Sequence, residues 1–190
     1  MAERWILASA SPRRVELLRG SGLPVEVIPA EVEELHDESW DFRHLCEENA
    51  RRKAREVAMR HPRAWVIGAD TLVCLNGVPL GKPVDGADAR RMLQALSGKV
   101  NQVCTGVWVV DPQGVERGFC EVSEVVFREL DEGVVDDYLA KVHTLDKAGG
   151  YAVQEHGDMI IAEVRGDVDN VVGLPVRALL ATLREWGVDF

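Results

Sequence analysis

Two hydrophobic periodicities alternate along this 190-residue chain. Short apolar runs, typical of buried strands, are followed by stretches in which apolar residues recur every three or four positions, typical of helices. The predicted strands span 4–8, 25–28, 64–75, 100–110 and 115–128, and the predicted helices span 12–19, 41–60, 86–97, 131–142 and 175–186. Because the strands are partly consecutive and partly alternate with helices, we predict an α/β fold with a mixed, twisted sheet flanked by helices.

Turn signals mark the ends of these elements. Asn76-Gly77 is a residue pair preferred in two-residue β-hairpins, and the Asp-Pro-Gln-Gly sequence at 111–114 predicts a turn between two strands. Two glycines before Tyr151 predict a further hairpin at 151–165. The sequence shows no repeat, low-complexity tract or linker, so we expect one domain spanning 1–190.

Composition narrows the classes of partner. The formal net charge is −10 and the isoelectric point is near 5.0, which argues against broad binding to nucleic acid or to a membrane surface. No apolar run approaches the roughly 20 residues that a membrane helix requires. The N-terminus lacks the pattern of a signal peptide, and we expect a cytoplasmic protein.

Cysteine and histidine spacing gives no sign of a metal cluster. The four cysteines are scattered without a Cys-x-x-Cys pair and are interpreted as buried thiols in a reducing compartment: Cys46, Cys74, Cys104 and Cys120. The five histidines form no ligand-spaced pair, so zinc is not expected.

The residues after the first predicted strand form a candidate anion site. Small residues from Ala8 onward leave room for a ligand near the backbone, and Ser11 and Pro12 suit the start of a helix. The free N–H groups of a helix start attract anions. Arg13 and Arg14 add positive charge and planar donor forks. A phosphate site and an ordinary capped helix with solvated arginines are the two interpretations.

An aspartate interrupts the most apolar predicted strand. Asp70 follows Gly68 and Ala69, and burying a carboxylate is costly unless it is hydrogen-bonded, paired or bound to a metal. The Asn76-Gly77 turn folds the chain back toward this strand, which would bring Lys82 near Asp70. The alternative is an aspartate at a strand end that bonds nearby backbone.

Three other segments carry suitable residue types. Glu33 and Glu34 offer oxygen ligands for a divalent metal, with a solvated acidic loop as the alternative. Lys53 lies on the charged helix, where a solvated lysine is the ordinary interpretation. The segment 145–154 contains two glycines and ends at Gln154, whose amide has the acceptor and donors needed to recognise a base edge.

Together these segments resemble the Maf family, also called septum-formation-inhibitor-like proteins. The resemblance rests on eight short motifs in the family's order: LASASPRR at 7–14, EE at 33–34, KA at 53–54, GADT at 68–71, GKP at 81–83, LSG at 96–98, DKAG at 146–149 and VGLP at 172–175. Each motif alone is weakly specific, but eight in order, covering nearly the whole chain, are strongly so.

The resemblance implies an activity and a fold. Members of the family hydrolyse the α–β phosphate linkage of nucleoside triphosphates with a divalent metal, here expected to be Mg²⁺ or Mn²⁺. Their fold is similar to that of inosine triphosphate pyrophosphatases, with two lobes around a cleft, and a homodimer is implied. The corresponding biological role is cleansing of the nucleotide pool or arrest of cell division.

The family's roles carry over to matching positions. By resemblance, Asp70 is the general base that activates water, Glu34 and Asp70 hold the metal, and Lys53 and Lys82 neutralise the phosphates. The implied phosphate-side residues also include Ser9, Ser11, Arg14 and Lys147.

Three positions resemble the branch that acts on dTTP and UTP. Arg13, Thr71 and Gln154 would recognise the pyrimidine, whereas the 7-methyl-GTP branch typically has Trp, Gln and Glu there. The alternatives that stay open are a 7-methyl-GTP pyrophosphatase and a nucleotide-binding regulator of septum formation with little hydrolysis.

Overall fold

Strands and helices alternate much as the hydrophobic pattern predicts. The computed structural model describes residues 3–36 and 39–188. The strands within these ranges are β1 (Trp5–Leu7), β2 (Val25–Val27), β3 (Trp65–Leu75), β4 (Val78–Leu80), β5 (Val100–Val110), β6 (Glu116–Phe127) and β7 (Ile161–Arg165). The helices are α1 (Pro12–Gly20), α2 (Phe42–Arg60), α3 (Gly86–Leu96), α4 (Glu132–Lys141), α5 (Gly157–Ile160), α6 (Val168–Val172) and α7 (Val176–Glu185).

The strands form one mixed sheet in the order β2-β1-β3-β5-β6-β7, with β4 paired to β3. Strand β1 is parallel to both of its neighbours, so that Leu7 lies opposite Val27 on one side and Ile67 on the other. The β3–β4 and β6–β7 pairs are antiparallel. The predicted mixed sheet with helices is therefore confirmed.

The chain divides into two compact units. Unit 1 comprises Met1–Thr71, Thr105–Glu121 and Gly173–Phe190, and unit 2 comprises Leu72–Cys104 and Val122–Val172. Strands β3, β5 and β6 contribute residues to both units.

Strand alternation gives the sheet of unit 1 two apolar faces. Odd-numbered positions of β1, β3 and β5 pack with α1 and α7 in one cluster, which includes Trp5, Leu7, Ile67, Val107, Leu18, Leu179 and Leu183. Even-numbered positions pack with α2 in a second cluster, which includes Ile6, Val66, Val110, Ala54 and Val57. Successive side chains of a strand point to opposite faces, so helices cover both sides of this part of the sheet.

Two glycines let α2 lie directly against the strands. A Cβ atom on Gly68 would stand 2.3 Å from the carbonyl oxygen of Ala50 and 2.7 Å from the backbone nitrogen of Ala54. A Cβ atom on Gly106 would stand 2.6 Å from the carbonyl oxygen of Cys46. Because these obstacles are backbone atoms, the helix could approach this closely only over glycine.

The core of unit 2 is formed by α3, α4 and the adjoining strands, with Leu93, Leu96, Val103, Val125, Phe127, Val135 and Tyr138 among its buried residues. The Tyr138 hydroxyl accepts a hydrogen bond of 2.9 Å from the backbone N–H of Ala152. Burial raises the pKa of Tyr138 to about 12, so this phenol stays neutral at physiological pH. The bond fixes the start of the segment that leads to Gln154.

The predicted hairpin at 151–165 is wrong. Turn residues occupy 153–156, α5 follows directly, and β7 pairs with β6 instead of with 151–156. His156 has left-handed backbone, with φ of 53°, which interrupts extended structure before β7 begins. The Asn76-Gly77 hairpin is confirmed, since both residues have positive φ, as a type I′ turn requires.

Within the described ranges, no helix combines the length and apolar character needed to cross a membrane. None of the four cysteines, all of which lie in the described ranges, forms a disulfide; three of them are buried and Cys120 is half-buried.

Gly68→Ala tests the close approach of α2. The new methyl group would collide with backbone atoms, so we expect the free energy of unfolding to fall by roughly 2–4 kcal/mol. Urea denaturation measures the change. Gly20→Ala is the matched control, because a Cβ atom there meets nothing within 4 Å. Equal stability of the two variants would contradict the packing described here.

Candidate active site

The candidate residues of unit 1 gather at the carboxyl end of β1. This strand lies between two parallel neighbours, β2 and β3, and open α/β sheets bind ligands beyond the carboxyl ends of strands where the strand order reverses. The chain after β1 carries Ser9 to Arg14, the chain after β2 carries Glu34, and β3 supplies Asp70 and Thr71.

Arg14 ties four parts of this region together. Its Nε donates to the carbonyl of Gly173 at 2.7 Å, and its Nη1 donates to Ser9 Oγ at 3.1 Å and to the carbonyl of Ala69 at 3.0 Å. Its Nη2 donates to Thr71 Oγ1 at 2.9 Å. Burial lowers the pKa of Arg14, and the negative charge of Asp70 opposes that shift. A guanidinium stays protonated regardless, so Arg14 contributes fixed charge while it holds Ser9 and Thr71.

The start of α1 differs in one detail from the prediction. Ser11 is the N-cap residue and Pro12 is the first helical residue, as expected, but the Ser11 side chain makes no capping hydrogen bond. Instead, the backbone N–H of Ser11 donates to Ser9 Oγ at 3.2 Å. The hydroxyl of Ser9 thus serves both the turn and Arg14. Arg13, which follows Pro12 in α1, is half-buried.

Asp70 forms the centre of a second cluster. It is only 4% exposed, and its Oδ1 lies 2.6 Å from Lys53 Nζ. The same Nζ donates to Glu34 Oε1 at 2.6 Å. The ammonium group therefore bridges two carboxylates, that of Asp70, which is buried, and that of Glu34, which is 38% exposed. The structure brings Asp70, Lys53 and Glu34 together, although they are far apart in sequence.

Two further residues of α2 hold Asp70 in place. Cys46 Sγ donates to the carbonyl of Asp70 at 2.9 Å and accepts from the backbone N–H of Gly106 at 3.1 Å. Asn49 Nδ2 donates to Asp70 Oδ2 at 3.3 Å. Neither contact was predicted. The available signal is spacing, because residues 46, 49 and 53 share one face of a helix.

The donor set at this cluster fits a hard divalent cation. Mg²⁺ is usually bound by one or two carboxylates, with waters and substrate phosphates as its other ligands. Glu34 and Asp70 provide two carboxylates that already converge on one positive charge, the Lys53 ammonium. Among the residues that the structure describes, no three His, Cys, Asp or Glu side chains assemble as a metal cluster.

In unit 2, the predicted residue Lys147 is buried, with 5% exposure. Its ammonium group donates to the carbonyl of His143 at 2.5 Å and to Asp146 Oδ1 at 2.9 Å, and it lies 3.2 Å from Glu155 Oε1. Lys147 thus connects both ends of the 146–155 segment.

The glycine-rich segment of unit 2 lies against the chain that precedes Lys82. The backbone N–H of Gly149 donates to the carbonyl of Gly81 at 3.0 Å, and Gly149 and Gly150 both have φ of 71°. Lys82 and Gln154 are exposed.

Comparison with known proteins supports the family resemblance. The profile described as Maf-like protein matches residues 4–186. A dTTP/UTP pyrophosphatase of Akkermansia muciniphila is 50% identical over 182 residues, covering 96% of each chain. A dTTP/UTP pyrophosphatase of Deinococcus radiodurans is 46% identical over 188 residues, which cover 99% of this chain and 95% of the relative.

The fold also matches a solved structure. The Staphylococcus aureus Ham1 protein superimposes with a TM-score of 0.58 at 18% identity, over 96% of this chain and 99% of that one. At this level of identity the likeness concerns the fold alone.

Lys53→Met tests the ion-pair cluster. The variant keeps the length of the side chain but leaves Asp70 buried without its ammonium partner, so we expect the unfolding free energy to fall by roughly 2–4 kcal/mol. The double variant with Asp70→Asn should lose less than the sum of the two single changes. Urea denaturation of the four proteins measures this coupling, and exposed Lys99 changed to Met is the control. Additive losses would contradict the pairing.

Proposed function

This chain belongs to the Maf-like protein family, and from that premise we propose that it hydrolyses dTTP and UTP to the nucleoside monophosphate and pyrophosphate. The observation that carries the proposal is the buried carboxylate of Asp70, which shares the Lys53 ammonium with Glu34 at the carboxyl end of β1. The names of the related proteins support the choice of nucleotide.

Positive charge is the first requirement of this reaction. A triphosphate carries several negative charges, and hydrogen-bond donors and cations placed where charge develops lower the barrier to phosphoryl chemistry. Unit 1 supplies the Lys53 ammonium and the half-buried Arg14 guanidinium. The N–H groups of Arg14 bond protein acceptors, so we propose that Arg14 contributes positive charge and holds Ser9 and Thr71 in place. We assign direct contact with the phosphates to Lys53 and to Ser9 and Ser11 at the start of α1.

Asp70 is the group that we assign as general base. A carboxylate at this place can accept a proton from a water molecule that attacks the α-phosphorus. The attack forms a bond from water oxygen to the α-phosphorus and breaks the bond to the oxygen that bridges the α- and β-phosphorus atoms. Pyrophosphate leaves with that bridging oxygen. Asn49 bonds the carboxylate of Asp70 and restrains its rotation, while Cys46 bonds the backbone carbonyl of the same residue.

Glu34 and Asp70 would hold the divalent cation. When bound, a cation of this kind neutralises phosphate charge and stabilises the leaving pyrophosphate. We propose that hydrolysis requires this cation. We also assign Lys82 and Lys147 to the phosphates, and Arg13, Thr71 and Gln154 to the pyrimidine base.

Asp70→Asn tests the catalytic assignment. An amide cannot accept the proton, so we expect kcat for dTTP in the presence of Mg²⁺ to fall roughly 10²- to 10⁴-fold. Separation of the products follows release of dTMP and pyrophosphate. Asp85→Asn is the control, because Asp85 caps α3 and asparagine caps equally well. Near-normal turnover of Asp70→Asn would remove Asp70 from the role of base, and release of orthophosphate with a diphosphate would overturn the proposed function.

Gln154→Glu tests base selection. Glutamate lacks the amide donors and adds negative charge, so kcat/KM for dTTP and UTP should fall roughly 10- to 100-fold. Gln94→Glu, an exposed change on α3, is the control. A panel with 7-methyl-GTP and ITP separates base selectivity from general activity. An unchanged substrate profile would exclude Gln154 from recognition of the base.

A further inference from the structure

Asn49 is a buried polar residue on α2 whose amide makes three hydrogen bonds. Asn49 is only 2% exposed to solvent. Its Oδ1 accepts from the backbone N–H of Leu35 at 2.8 Å, and its Nδ2 donates to the carbonyl of Leu35 at 3.2 Å. The same Nδ2 donates to Asp70 Oδ2 at 3.3 Å. Burial of an amide is costly unless it is hydrogen-bonded, and these three bonds offset that cost.

The two bonds to Leu35 fix the peptide next to Glu34. Residues 31–36 form neither helix nor strand, so this segment has no regular ladder to hold it. Asn49 takes both the N–H and the carbonyl of one residue, as a neighbouring strand would do. Glu34 directly precedes Leu35 in the chain. The hydrogen bonds between Asn49 and Leu35 therefore hold the backbone of Glu34 close to α2.

The third bond fixes Asp70 in relation to that peptide. Because Oδ1 of Asn49 must face the N–H of Leu35, the NH₂ group of the amide is left to face Leu35 O and Asp70. The carboxylate of Asp70 then has one oxygen on Lys53 and the other on Asn49. The side chain of Asn49 therefore contacts both Asp70 and the backbone next to Glu34, the two residues whose carboxylates share the Lys53 ammonium.

We propose that Asn49 is a positioning residue, which sets the separation and orientation of the Glu34 and Asp70 carboxylates for hydrolysis. This inference rests on the proposed function. Asn49 is assigned no contact with the nucleotide or with a metal. It acts through the two carboxylates, as residues that orient metal ligands and catalytic groups commonly do.

The kinetic consequence follows from which groups Asn49 touches. Loss of the amide frees Asp70 to rotate and loosens the peptide of Glu34, so turnover and use of the metal should both suffer. The three bonds of Asn49 go to Leu35 and Asp70 and not to Ser9 or Ser11, which are assigned to the phosphates, so nucleotide binding should change little. We expect kcat to fall and the Mn²⁺ concentration for half-maximal activity to rise, each about 10- to 100-fold, with KM for dTTP nearly constant.

The experiment compares Asn49→Ala and the milder Asn49→Ser with wild type. Initial rates of pyrophosphate release are measured against dTTP and against Mn²⁺. Hydrogen exchange is measured at the amide of Leu35 without nucleotide or metal, and exchange there should become faster in both variants. Val57→Ala is the matched control, because Val57 is a fully buried residue of the same helix within an apolar cluster. It should lower the melting temperature and leave kcat and Leu35 exchange unchanged.

The outcomes distinguish this inference from the function on which it rests. An active wild type whose Asn49 variants keep normal kcat and metal dependence would overturn the positioning role, whatever their stability. Unchanged exchange at Leu35 would overturn the tie between α2 and the Glu34 peptide. A wild type that releases no pyrophosphate from dTTP or UTP would overturn the proposed function itself, and the inference with it.

Discussion

The negative charge of Asp70 is buried within a sheet strand, and much of unit 1 is arranged to make that burial tolerable. An unpaired carboxylate in such a place is strongly unfavourable. Here Lys53 supplies the opposite charge, Asn49 bonds the second oxygen, and Cys46 bonds the backbone carbonyl of the same residue. All three partners come from one face of α2. The position of that helix therefore decides whether the buried carboxylate has its bonding partners.

Glycine makes that position available. Gly68 and Gly106 remove the Cβ atoms that would otherwise keep α2 away from β3 and β5, so the helix backbone reaches the sheet and its polar residues reach Asp70. The same strand carries Thr71, which Arg14 holds together with Ser9. The packing of α2 therefore affects the candidate site directly, because a change that moves α2 away from the sheet also separates the Lys53 ammonium from its carboxylates.

Local pattern predicted the elements well, because strand runs, helical periodicity and turn pairs such as Asn76-Gly77 act over a few residues. It failed at 151–165, where a bond from Tyr138 and the backbone of His156 outweigh the apparent strand pattern. The family motifs named Asp70, Lys53 and Glu34 but not their contacts. Asn49 and Cys46 were not predicted, because their spacing places them on the same helix face as Lys53 but does not show what that face contacts. At the start of α1, the hydroxyl that bonds the backbone belongs to Ser9, two residues before Ser11.

The central claim is that a water molecule attacks the α-phosphorus of the nucleotide. Hydrolysis of dTTP by the wild-type protein in water enriched in ¹⁸O, followed by mass spectrometry of both products, tests it most directly. Attack at the α-phosphorus places one labelled oxygen in dTMP and leaves pyrophosphate unlabelled. Label in pyrophosphate with unlabelled dTMP would show attack at the β-phosphorus and would contradict the account.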